Sequence, residues 1–127
     1  MSHNVLIVDD SKLARMAVIK LFRALHPDWS HVQAANGDEA IAALNEKKVD
    51  LVVLDFNMPG RDGLDLAAEF RKTRPTMPIA VISANYQREV VDRARAVGAT
   101  FLPKPVTEQA LEEFLATAVQ RRQDFDP

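Results

Sequence analysis

The chain has no cysteine among its 127 residues. Disulfides, zinc-thiolate sites and thiol nucleophiles are therefore excluded. It has only four glycines, Gly37, Gly60, Gly63 and Gly98, and none follows the first apolar run. The glycine-rich loop that cradles a dinucleotide is missing, and a flavin or nicotinamide site has no support. No apolar run reaches the length of a transmembrane helix, so no membrane partner is expected. No succession of basic, apolar and cleavage-site residues opens the chain, which makes the cytoplasm the expected compartment. Excess charge is missing too: a formal net charge of -2 gives no electrostatic case for nucleic acid, which calls for a basic patch or stripe. His3, His26 and His31 lack metal-ligand spacing and read as surface residues.

What is present is the composition of an ordinary globular domain, 47% hydrophobic and 27% charged, long enough for one core and too short for two. Val5–Val8, Leu51–Leu54 and Ile79–Ile82 are near-continuous Val, Ile and Leu. That is the pattern of parallel strands covered on both faces. His31–Ala34 and Thr100–Leu102 are weaker strand candidates. Helical spacing fills the intervals. Ala14, Ala17, Val18, Leu21 and Leu25 follow Ser11, a candidate cap. Ala40, Ile41 and Leu44 follow Asn36, with Glu39 placed as in a capping box. Leu64, Ala67 and Ala68 mark a third helix. Val90, Val91, Ala94 and Val97 mark a fourth, stopped by Gly98. Leu111, Phe114, Leu115 and Ala118 mark a fifth behind Thr107. Strand and helix alternate five times, which implies an α/β fold with a parallel sheet and helices on both faces. Residues 1–122 form the expected domain, and 123–127 a tail or the start of a linker.

The polar residues carry the functional signal. Asp9 and Asp10 follow the first strand, Asp55 the third and Ser83 the fourth, while Lys104 lies just past the fifth. Parallel strands deliver all of them to the carboxyl edge of the sheet, where open α/β folds bind ligands. Each has a plainer role when taken singly. An aspartate at a strand end is often a helix cap, a serine a turn residue, a lysine a solvated charge, and Asp62-Gly63 a turn. Together they are harder to explain that way. Two unit charges about 4 Å apart repel by roughly 4 kcal/mol at an effective dielectric of 20. One lysine cannot neutralise three carboxylates. A hard divalent cation, Mg2+, held by one or two carboxylates and completed by phosphate oxygens, answers the imbalance. The set therefore points to a site for Mg2+ and a phosphoryl group.

At this point the chain resembles a known family. Val5-Leu6-Ile7-Val8-Asp9-Asp10-Ser11, Leu54-Asp55-Phe56-Asn57-Met58-Pro59-Gly60-Arg61-Asp62-Gly63, Ile82-Ser83-Ala84 and Gly98-Ala99-Thr100-Phe101-Leu102-Pro103-Lys104-Pro105 are similar, in order, to the signature stretches of the response-regulator receiver domain of bacterial two-component systems. The resemblance covers about Asn4 to Arg121. It implies a flavodoxin-like, CheY-like, doubly wound sheet of order 2-1-3-4-5 with five helices. It implies that Asp55 is the phosphoacceptor, taking the group from a sensor histidine kinase, a His-phosphotransfer protein or a small acyl phosphate. Asp10 and Asp55 with the Asn57 carbonyl would hold Mg2+, and Asp9 would act through a metal-bound water. Lys104 would contact the phosphoryl group, across a cis bond to Pro105. Ser83 and Phe101 would form the switch pair that reshapes the surface of helix 4, strand 5 and helix 5 for a downstream target protein or output domain, although an ordinary core aromatic is the alternative for Phe101. Asn57 and Asn85 stand at positions that tune dephosphorylation. Ser83 replaces the threonine more usual in the family.

Two other classes of function compete with this one. A haloacid-dehalogenase-type phosphatase also uses an aspartyl-phosphate and Mg2+, but it needs a second catalytic carboxylate where this chain has Asn57. A phosphorylation-independent interaction module on the same fold would ordinarily lack one of the acidic residues or the lysine. The expectation is therefore a signalling domain that modifies only itself. Met1 at the domain start and the short tail favour a stand-alone regulator over the receiver of a longer protein.

Overall fold

Strands that are apolar on both sides must be covered on both sides. In the computed structural model, which describes residues 3–58, 60–84 and 87–125 with side chains to residue 118, this is the case. Strands β1 (Asn4–Val8), β2 (Ser30–Ala34), β3 (Leu51–Asp55), β4 (Ile79–Ser83) and β5 (Thr100–Pro103) form one parallel sheet of order β2-β1-β3-β4-β5. The helices are α1 (Lys12–Leu25), α2 (Gly37–Glu46), α3 (Gly63–Thr73), α4 (Arg88–Ala96) and α5 (Glu108–Phe125). The expected fold class and strand order are both observed.

The two-residue period of the strands sorts the core into two layers. Leu6, Val8, Val52, Leu54, Ile79 and Val81 pack with Leu44, Leu66, Phe70 and Ala94 of α2, α3 and α4. Val5, Ile7, Val53, Ala80 and Ile82 face the other way, onto Ile19, Phe22, Leu111 and Phe114 of α1 and α5. Phe22 and Phe70 are fully buried, one on each side. Truncating either to alanine costs about 3–5 kcal/mol on general grounds.

Helix starts follow local hydrogen bonding. Ser11 Oγ accepts the Ala14 N–H at 3.2 Å, Asn36 Oδ1 the Glu39 N–H at 2.9 Å, and Thr107 Oγ1 the Ala110 N–H at 3.1 Å. Asp62, read from sequence only as part of a turn, caps α3 by accepting the Asp65 N–H at 2.8 Å. After α4 the chain turns through Gly98 at φ 69°, a left-handed conformation that side chains resist. Helix α5 continues to Phe125 and so takes up 123–125, expected as tail. Among the described residues, no helix is long and apolar enough to cross a membrane.

The histidines depart from the surface role expected of them. Trp29 is buried, with His26 stacked flat on it at 4.0 Å and His3 edge-on at 4.8 Å. His31, on β2, is half-buried with its ring 6.0 Å from that of Phe22. Their rings are aromatic before they are polar, and the amino edge of the sheet leaves apolar surface for them to cover. This is a long-range consequence that spacing along the chain does not display.

Candidate functional site

Because β1 and β3 are direct neighbours, with Val8 opposite Leu54, the residues after their ends share one crevice at the carboxyl edge. Asp9 and Asp55 are buried there and Asp10 is exposed. One carboxylate oxygen from each of the three lies within 4.8 Å of the others. Lys104 reaches over from the end of β5 and sets its Nζ 2.8 Å from Asp55 Oδ1. The backbone holds that reach in place, with the Lys104 N–H donating to Ser83 O at 3.1 Å. The Lys104–Pro105 bond is cis.

The charges are unevenly placed. Burial pushes the Asp9 carboxyl above its ordinary range. The Ser11 N–H on Asp9 Oδ1, at 2.9 Å, pulls it back, Asp55 pushes it up again, and Lys104 and Asp10 act in opposite senses. Three acids and one lysine leave net negative charge in a partly dry pocket, where repulsion is poorly screened. The donors are all oxygens, the set preferred by a hard cation such as Mg2+, so the residues present fit that ion.

The loop after β3 is tied back tightly. Phe56 N–H donates to Ile82 O, and Gly63 N–H donates to Phe56 O, both at 2.8 Å. At Gly63 a Cβ would stand 2.4 Å from the carbonyl oxygen of Asp55, so only glycine lets α3 start against the phosphoacceptor candidate. Asn57 lies exposed in this loop. Ser83 is fully buried at the end of β4, opposite Pro103. Phe101, opposite Val81 on β5, is partly buried against the layer shared with α2, α3 and α4. The fold thus gathers Asp9, Asp10, Asp55 and Lys104, sets Ser83 next to them through the Lys104 backbone, and leaves Phe101 farther down the edge strand. Asn85 lies outside the described residues.

Arg15 was not anticipated. Its Nη1 donates to Asp9 O at 2.6 Å, and its Nε to Gln33 Oε1 at 3.0 Å, pinning the β1 exit to α1 and β2. The available signal was its place one turn past Ser11, in a helix that starts at the carboxyl edge.

The sequence model of the response regulator receiver domain matches residues 5–116. The chain is 39% identical over 119 residues to the transcriptional regulatory protein PdtaR of Mycobacterium tuberculosis, covering 92% of this chain and 57% of that protein. It is 34% identical over 116 residues to the chemotaxis protein CheY of Thermotoga maritima, covering 91% and 96%. It superimposes on the chemotaxis protein CheY4 of Vibrio cholerae with a TM-score of 0.82 and 28% identity, over 93% of this chain and 99% of that one. It also matches, with a TM-score of 0.82 and 28% identity over 92% and 89% of the two chains, a chain of the CheX-CheY-BeF3-Mg+2 complex from Borrelia burgdorferi. The first curated relatives are longer, and the chain spans between 27% and 57% of their length.

Proposed function

Because the chain belongs to the response regulator receiver family, we propose that Asp55 accepts a phosphoryl group from the phosphohistidine of a sensor kinase or phosphotransfer protein and so switches the α4–β5–α5 surface. The observation that carries this is the meeting of three carboxylates within 4.8 Å and Lys104 at 2.8 Å from Asp55. A carboxylate oxygen of Asp55 attacks phosphorus, the P–N bond breaks, and the neutral imidazole leaves with a proton from solvent. Lys104 moves its charge from the carboxylate to the phosphoryl oxygens as the acyl phosphate forms. Mg2+, held by Asp10, Asp55 and the Asn57 carbonyl with Asp9 behind a water, would supply the remaining positive charge during transfer. The BeF3 and Mg+2 of the Borrelia burgdorferi complex support the same chemistry here.

The donor needs a way in. A cleft of about 380 Å³ runs from Asp9 and Lys104 along Ala14, Ala17 and Leu21 of α1 to Pro105 and Val106. Leu13, the residue before Ala14 of that lining, is 85% exposed. These features suit the apolar face of a histidine-bearing helix. On the output side, the added phosphoryl group carries about two negative charges and several acceptors. The buried Ser83 hydroxyl would turn toward it, and Phe101 would follow into the space released.

Intact-protein mass spectrometry after incubation with acetyl phosphate tests this. We expect one phosphoryl adduct on the wild type, dependent on Mg2+, and none on Asp55→Asn, whose amide is nearly isosteric but forms no acyl phosphate. An adduct on Asp55→Asn at the wild-type level would place the acceptor elsewhere.

A further inference from the structure

A second group of charges lies between α4 and the loop that joins β3 to α3. Arg93, in the second turn of α4, holds its Nη2 3.1 Å from Asp62 Oδ2 and 3.3 Å from Asp65 Oδ1. Its guanidinium carbon lies 6.0 Å from the centre of the Phe56 ring. Phe56 is the first residue after Asp55, and Asp62 is the last before α3. One side chain on α4 therefore grips both ends of the loop 56–62, which carries Asn57. Asp62 is itself held by capping α3, so Arg93 docks on a rigid group.

The far end of α4 is fastened separately. Arg71 of α3 donates from Nε to Val97 O at 2.9 Å and from Nη2 to Gly98 O at 3.1 Å. Of these two arginine attachments between α3 and α4, the one through Arg93 reaches the phosphoacceptor loop. Arg93 is 39% exposed, and ion pairs at that exposure contribute little to folding. Such a contact can open without unfolding the domain, while the Arg71 end serves as a pivot.

We propose that Arg93 is a positioning residue for the phosphoacceptor site. It holds loop 56–62 in the shape that receives the metal and phosphoryl group, and so couples the seat of α4 to the occupancy of that site. The proposal rests on the reading of Asp55 given above. The coupling is reciprocal: a partner that draws α4 away weakens binding at the site by the same factor by which filling the site strengthens the α4 attachment.

The test uses the full chain as wild type, Arg93→Ala, Arg93→Lys and Arg93→Gln. Mg2+ affinity is measured by titration calorimetry without a phosphodonor. Amide exchange of residues 88–96 is measured with and without Mg2+ and beryllofluoride. Arg93→Ala should raise the Mg2+ Kd about fivefold, the low end of couplings between distinct sites. It should also abolish the slowing of exchange in α4 expected of the wild type on adding Mg2+ and beryllofluoride. Arg93→Lys should fall between, because an ammonium lacks the planar fork that spans two carboxylates and faces a ring. A purely structural role would lower Tm while leaving the Mg2+ Kd and the exchange response at wild-type values, and that result overturns the proposal. Should Arg93→Ala not fold, Arg93→Gln, which keeps part of the stem but loses the charge that pairs with Asp62, carries the same test, and an unchanged Kd there overturns it equally. A wild type that takes neither Mg2+ nor a phosphoryl group defeats the reading of Asp55, and the role of Arg93 with it. A wild type that binds Mg2+ beside an unchanged Arg93→Ala removes the role of Arg93 alone.

Discussion

Replacing Gly63 with alanine perturbs one contact at the centre of the site. The new Cβ would lie 2.4 Å from Asp55 O, 3.0 Å from Asp55 C and 3.0 Å from Leu54 Cδ1. The first distance is 0.6 Å short of the 3.0 Å that real Cβ atoms keep, and the obstacle is backbone, not a side chain that can rotate. The strand cannot yield easily, because the Phe56 N–H that follows is bonded to Ile82 O on β4. Overpacking of this kind costs about 1–3 kcal/mol, and a backbone obstacle belongs near the upper figure. Alanine in place of a glycine at ordinary φ returns about 0.4–1 kcal/mol through the unfolded chain. The net loss is about 2 kcal/mol, or roughly 6–10 °C in Tm for a domain of this length. Gly37→Ala is the internal control. It also sits at a helix start, but its Cβ would meet only Leu66 side-chain atoms at 3.4 Å and beyond, so its Tm should equal or exceed that of the wild type. Scanning calorimetry of the three proteins, with phosphoryl adduct formation measured alongside, makes the comparison. Gly63→Ala should also phosphorylate more slowly, since the atom displaced belongs to the acceptor residue. A Gly63→Ala protein as stable as the wild type would refute the argument.

Two further predictions concern pH. Asp9 titrates above its ordinary value of 3.8 in the folded chain, so its contribution to stability is complete below 3.8 and is lost as pH rises through the folded value. Its charge is a load at pH 7, and Asp9→Asn in EDTA should melt a few degrees above the wild type at pH 7 but not near pH 3.8; a lower Tm at pH 7 would contradict the cost assigned to burying that charge. His31 titrates below its ordinary 6.5, because burial and then the nearby Arg23 oppose its charge. Its contribution is complete above pH 6.5 and is lost as pH falls through the folded value. His31→Gln should therefore gain in urea midpoint relative to the wild type between pH 7 and pH 5, whereas parallel curves would show that His31 does not drive the acid loss.

The sheet and the cluster at its edge were legible because both follow from periodicity. Three apolar runs named the central strands, alternation made them parallel, and the strand ends then had to deliver Asp9, Asp55, Ser83 and Lys104 to one side. The caps at Ser11, Asn36 and Thr107 were legible because an N-cap bonds two or three residues along the same chain. What escaped joins distant segments. Nothing in the sequence singles out Arg71 or Arg93. The contacts that tie them to the other helix or its flanks reach carbonyls and carboxylates 26 to 31 residues away, and no local spacing encodes such pairs. Asp62-Gly63 reads as a turn, and the need for glycine there appears only when α3 is laid against β3. Asp50, buried beside β1, accepts the Asn4 N–H across 46 residues at 2.8 Å and escaped for the same reason.

The aromatic stack at the amino edge has a consequence for spectroscopy. Trp29 is the chain's single indole fluorophore, and it lies at the opposite end of the strands from Asp55, about 17 Å away for strands of five residues. With an imidazole stacked flat on it at 4.0 Å, that indole makes the natural emission of this chain a reporter of the amino edge and of unfolding, remote from the carboxyl-edge site. A second indole placed near the carboxyl edge would then give a two-channel reporter, one channel reading the integrity of the fold and the other the occupancy of the carboxyl-edge site.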